Sequence, residues 1–187
     1  MAMADLANTI CVGPVASLGR RHNLGLQGDK AVLIALGGID HQLPVNHWPR
    51  LPGIRWLVAG HWRCTHPDAI AYEDFGLSFT DLLCSVDAIV TKPGYGTFTE
   101  AACNGTAVLY QRREDWPEQD CLIDWLHQHG RCREIGGDDL EAGNIAPALA
   151  TLWTQEEAPR PLPDGARAAA ELILRSPVRQ AAAATAG

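Results

Sequence analysis

Residues 87–105 read DAIVTKPGYGTFTEAACNG, and the fold turns on how this stretch is divided. Asp87 to Thr91 is a short apolar run bounded by turn residues, the pattern of a buried strand. Lys92 to Gly96 is a glycine-containing loop, and Thr97 to Asn104 is a helix stopped by Gly105. A loop between a buried strand and a helix start leaves backbone N–H groups unpaired, and together with the helix dipole they favour an anion such as a diphosphate. Gly94 and Gly96 permit unusual backbone angles and a close ligand approach, the Thr97 hydroxyl can donate to a phosphate oxygen or cap the helix, and Lys92 can add charge. The same spacing also suits a tight strand-to-helix turn without a ligand, and the glycines alone do not choose between the two. The loop is neither GxGxxG nor GxxxxGK[ST], which argues against a dinucleotide fingerprint and against a P-loop. Glu100 lies one turn into the helix, placed either to hold a ribose diol or to close a capping box with Thr97; spacing alone favours the cap.

Outward from this stretch the same alternation repeats. Ala31 to Leu36 is a buried-strand candidate ending at Gly37-Gly38, and Ile54 to Ala59 is a second, ending at Gly60-His61. At most one helical turn is expected between them. Ser78 and Asp81 are spaced as an N-cap and its partner at the start of a short helix from Phe79. Thr106 to Tyr110 is a strand, and Pro117 opens a helix to His129 with Leu122, Trp125, Leu126 and His129 on one face. A weak strand over Arg131 to Ile135 and helices over Ala16 to Leu26, Asp138 to Trp153 and Asp164 to Arg175 complete the expectation. Strands alternating with helices predict an α/β fold with a Rossmann-like, doubly wound parallel sheet over residues 19–176. Residues 1–18 read as an interdomain linker remnant, and residues 177–187 as an Ala-rich, low-complexity tail.

A length of 187 residues suits one domain. The net charge of −7 excludes a chain whose main surface neutralises nucleic-acid phosphates, so no nucleic-acid partner is expected. The six cysteines form no CxxC pair and follow no secretory leader, pointing to reduced thiols and a cytoplasmic setting. No apolar run approaches the roughly 18–20 residues that span a bilayer; peripheral membrane contact is left open. His61, Cys64 and His66 are spaced closely enough to share a metal, but no second ligand pair accompanies them and no DxD motif lies in a suitable loop, so no metal or other cofactor is expected.

The stretch from Ser78, SFTDLLCSVDAIVTKPGYGTFTEAACNGTAVLYQRREDWPEQD, resembles the C-terminal domain of GT-B glycosyltransferases. Within that fold it is similar to the family 28 C-terminal group, which contains the peptidoglycan N-acetylglucosaminyltransferase. It is also similar to the glycosyltransferase-like N-terminal region of plant L-arabinokinase. The resemblance implies one half of a GT-B fold, with Gly94, Tyr95, Gly96 and Thr97 lining a diphosphate site that Gly37 and Gly38 face across the cleft. It moves Glu100 from cap to ribose ligand. It places the base near Leu77, Ser78 and Phe79, although Phe79 also reads as a core residue. Glu118, Gln119 and Asp120 would meet the donor sugar, their bland alternative being an acidic first turn favoured by the helix dipole. His61 and Lys92 are further candidates, while the paired Arg112 and Arg113 read more simply as a solvated face.

The implied function is donor binding in a glycosyltransferase that moves a sugar from a nucleotide diphosphosugar, expected to be a UDP-sugar, to a hydroxyl acceptor. The chain lacks the N-terminal acceptor domain of such enzymes, so it is expected to be their C-terminal half and inactive alone, and no catalytic residue is assigned. The alternatives are a non-catalytic nucleotide-sugar-binding regulatory domain, as in a fusion to a sugar kinase, and an epimerase or hydrolase on the same fold.

Overall fold

The computed structural model describes residues 9–37, 41–114 and 116–175. Gly38, the first eight residues of the expected linker and the Ala-rich tail lie outside the described residues. Six parallel strands form one sheet: β1 (Lys30–Ile34), β2 (Ile54–Val58), β3 (Ala69–Ala71), β4 (Ala88–Thr91), β5 (Ala107–Tyr110) and β6 (Cys132–Glu134). Their order across the sheet is β3-β2-β1-β4-β5-β6. Among the described residues six α-helices accompany them: α1 (Phe79–Ser85), α2 (Tyr95–Asn104), α3 (Gln119–His129), α4 (Gly137–Ala142), α5 (Ala146–Trp153) and α6 (Gly165–Arg175).

Both faces of the sheet are covered, which is why the central strands β1, β4 and β5 read as nearly continuous apolar runs rather than alternating. Val32, Ile34, Val90 and Leu109 pack on one face against α4, α5 and the segment between β1 and β2. Ala31, Leu33, Ile89 and Val108 pack on the other against α1, α2 and α3. Each fully buried Leu or Ile contributes about 1.5–3 kcal/mol. The connection leaving β1 and the connection leaving β4 thus cover opposite faces. A crevice opens between their carboxyl ends, the point where parallel sheets of this kind receive ligands.

The structure corrects four local expectations. Residues 16–26 are not helical; they run as an extended strap across α1 and α2. Side chains distant in sequence satisfy the strap's amides: Gly19 donates to Asn104 Oδ1 (2.8 Å), Arg20 to Asp81 Oδ1 (2.7 Å) and His22 to Ser85 Oγ (2.8 Å). A Cβ on Gly19 would lie 2.2 Å from the Thr80 carbonyl oxygen, so the strap touches α1 at a distance only glycine allows. The single helix expected over Asp138 to Trp153 is two, because Gly143 ends α4 at φ +73° and Pro147 opens α5. The three-residue strand β3 was not expected. Finally, α2 starts at Tyr95, two residues early, so Thr97 is inside the helix and forms no capping box with Glu100.

Candidate functional site

The crevice between β1 and β4 leads into a cleft of about 370 Å³ whose walls include Gly37, His61, Phe79 and Thr97. Four sequence-predicted residues from four different connections therefore meet in one cavity. Gly37 follows β1 with φ +70°, a left-handed conformation that favours glycine. His61 sits in the 3₁₀ turn after β2. Phe79 begins α1 and is 40% exposed, so it is a cleft wall rather than a core residue. His41, Trp62 and Tyr72 also line the cleft and were missed. Tyr72 follows β3 as His61 follows β2, so recognising that strand would have found it.

The α2 N-terminus lies at this edge. Its N-cap is Gly94, and no side chain caps it. The first turn thus presents its amides without competition from a protein side chain. Gly94 has φ −164°, ordinary extended backbone, and Gly96 is not among the residues with positive φ, so the expected unusual backbone angles are absent. What the two glycines provide is room. A Cβ at Gly96 would meet no atom within 4 Å, and one at Gly94 only the Lys92 carbonyl oxygen at 3.9 Å. No packing inside the protein requires glycine at position 96.

Lys92 supplies the electrostatics. Its Cε lies 3.8 Å from where a Gly37 Cβ would be, bridging the ends of β1 and β4. Its Nζ is buried and has no hydrogen-bond partner among the described residues. Burial, and then the nearby Arg113 guanidinium, pull its pKa below the ordinary lysine range. An ammonium held there without a counter-charge fits an anionic ligand.

The remaining predicted residues are placed as follows. Glu100 is half-buried in the second turn of α2, and its carboxylate takes no hydrogen bond among the described residues. Ser78 Oγ accepts from the Asp81 amide (3.1 Å) and caps α1, with Leu77 packed beside the core. Tyr95 is exposed; its ring meets Trp116 edge-on (5.6 Å) and its hydroxyl donates to Glu118 Oε2 (3.2 Å). Tyr95, Gly96 and Glu118 line a separate groove rather than the cleft. Gln119 is buried with its amide closed onto the Arg113 backbone, accepting from Arg113 N (2.8 Å) and donating to Arg113 O (2.6 Å). Asp120 pairs with Arg112, which also donates to Glu134 Oε2 (3.0 Å). These partners hold the Arg112 guanidinium firmly charged and leave it engaged. Cys64 donates to Asn46 Oδ1 (3.1 Å), and the buried His66 ring lies between the Trp48 carbonyl (3.2 Å) and the Asp68 amide (3.1 Å).

No protein-family model matches the sequence, and no curated protein matches it significantly. Solved structures do. The glycotransferase of kitacinnamycin superposes on 78% of this chain with TM-score 0.53 and 20% sequence identity. The chain has the fold of one half of a GT-B glycosyltransferase. It spans 40% of that protein's length. The glycosyltransferase SnogD from Streptomyces nogalater covers 87% of the chain at 16% identity with TM-score 0.47, and the chain spans 49% of it. Among the described residues no helix is long and apolar enough to cross a membrane.

Proposed function

We propose that this GT-B half binds the nucleotide diphosphate of a sugar donor at the carboxyl edge of its sheet, and that a partner acceptor domain completes a glycosyltransferase around it. The observation that carries the reading is the buried, unpaired Lys92 ammonium beside an uncapped α2 N-terminus. Lys92 precedes the Gly94 N-cap by two residues and its side chain reaches towards Gly37, so both features favour negative charge at the same edge of the sheet. On this reading Thr97 and the first-turn amides of α2 hold the phosphates, Gly37 leaves them room, Glu100 takes the ribose hydroxyls, and Phe79 flanks the base. When the sugar–phosphate bond breaks, charge develops on the leaving diphosphate, where these groups stabilise it without a metal having to be invoked.

A second reading is supported by Gln119 and Asp120. Two of the three expected sugar ligands are engaged by Arg113 and Arg112, and the third, Glu118, accepts from the Tyr95 hydroxyl, which favours a domain that holds the nucleotide without reading the sugar, as a regulatory module would. Calorimetric titration with UDP, GDP, ADP and UDP-N-acetylglucosamine tests both. Donor binding predicts that one diphosphate binds and that its sugar conjugate binds more tightly; equal affinity for UDP and its conjugate favours the regulatory module. Null traces for all four ligands overturn both.

A further inference from the structure

A second depression, a groove of about 920 Å³, lies on the other flank of the α2 N-terminus. Its size falls within the roughly 300–1,000 Å³ typical of small-molecule sites. Cys121, Leu122 and Trp125 of α3 form one wall, Tyr95 and Gly96 of α2 the next, and residues 11–15 of the strap the third. The strap is fastened in place: Thr99 Oγ1 donates to the Val15 carbonyl (3.3 Å), and the Gly165 amide donates to the Pro14 carbonyl (3.1 Å). The groove is therefore formed before anything enters it. Its lining is predominantly apolar and includes no Lys or Arg; Glu118 is its carboxylate, and His129, whose ring lies against Trp125 (4.7 Å), is its imidazole. That charge pattern disfavours phosphorylated lipids and nucleic acid and suits an uncharged body. The groove and the proposed donor site flank the same helix start, because Gly96 lies in the groove wall while the next residue, Thr97, lines the cleft.

We propose that this groove binds the uncharged aromatic or alkyl body of a hydroxyl-bearing ligand. On the functional reading above, on which this assignment rests, that ligand is the sugar acceptor. The apolar body stacks on Trp125 and Leu122, and the hydroxyl end points to the α2 N-terminus, where Glu118 and the Tyr95 hydroxyl offer polar contacts. The domain then contributes to acceptor choice as well as to donor binding.

The test uses 4-methylumbelliferone, an uncharged aromatic alcohol at neutral pH, followed by its fluorescence anisotropy on the whole chain. Cys121 is exposed, so Cys121→Trp fills the groove from a helix surface without disturbing the core. Val12→Arg narrows it from the strap and gives an independent reading should the first variant fold poorly. The expectation is saturable binding by the wild type, at least about tenfold weaker binding by either variant, and unchanged binding by Leu172→Lys on α6. Absence of wild-type binding, or binding by both groove variants as tight as the wild type's, overturns the proposal. So does a wild type that sediments as a dimer with Cys121 shielded from alkylation, because the groove then belongs to a second copy. UDP is titrated in parallel: loss of UDP binding with retained probe binding supports the groove and refutes the donor reading, so the two failures are distinguishable.

Discussion

The two ends of the sheet treat charge in opposite ways. At the amino end the charged groups flanking β1 to β4 are paired: Asp68 accepts from Arg50 Nε (2.9 Å) and Nη2 (2.8 Å) and lies 3.5 Å from Arg55, which donates to Asp29 (2.7 Å). Asp87 accepts from the Ala31 amide (2.8 Å) and pairs with Lys30 (3.5 Å). At the carboxyl end Arg112 is paired, but Lys92 is buried beside an open helix start with no partner among the described residues. Folding alone gives no reason to keep that ammonium. A chain that completes its pairs at one edge and leaves one open at the other separates the groups that hold the fold from those available to a ligand.

Substitutions at the two ends should therefore fail in different ways. The largest effect is expected for Lys92→Met, which removes a charge-assisted contact worth about 1.5–3 kcal/mol and should weaken UDP binding roughly 10–100-fold. The same change deletes an unpaired buried charge, so the thermal midpoint should rise by about 2 °C rather than fall. A Lys92→Met protein that is less stable and binds UDP normally would place Lys92 among the structural residues. Asp68→Asn should do the reverse, lowering the midpoint by about 4 °C with UDP affinity unchanged in calorimetry.

Smaller is the response to pH, in which stability rises with pH at both ends but in different ranges, acid at the amino end and alkaline at the carboxyl end. Hydrogen bonding from Arg50 lowers the Asp68 pKa below its ordinary 3.8, so its stabilisation is complete above that value and is lost as pH falls through the folded-state pKa. Burial lowers the Lys92 pKa below its ordinary 10.5, so the charged amine destabilises the free protein at neutral pH, and this penalty is relieved as pH rises from the depressed pKa towards 10.5. Melting curves of Asp68→Asn should lose part of the acid dependence, and those of Lys92→Met part of the alkaline rise.

Much of this arrangement could be read from local sequence. The apolar runs at Ala31 and Ala88, each stopped by turn residues, announce β1 and β4, and Ser78 caps α1 as its spacing requires. The failures lie where the deciding contact is distant. The segment from Ala16 has some helical character, but its amides are taken by Asn104, Asp81 and Ser85, which no local pattern reveals. β3 is three residues long and owes its place to pairing with β2. The break between α4 and α5 is marked by Gly143 and Pro147, but the apolar spacing continues across it and mimics a single helix. For the site, the sequence shows that Lys92 is a cation near glycines, but only the folded chain shows it without a counter-charge. Likewise, the engagement of Gln119 by Arg113 depends on loop closure rather than on the residues' identities.

The most direct test follows backbone amide resonances of the isotopically labelled chain during UDP addition. Binding at the open edge predicts that the largest shifts fall on Tyr95, Gly96 and Thr97 and extend to Lys92 and Gly37, while Asp29, Asp68 and Asp87 at the opposite edge stay still. Saturating UDP that leaves the α2 amides unmoved, or that moves the amino-edge residues instead, would contradict the assignment of this edge as the diphosphate site.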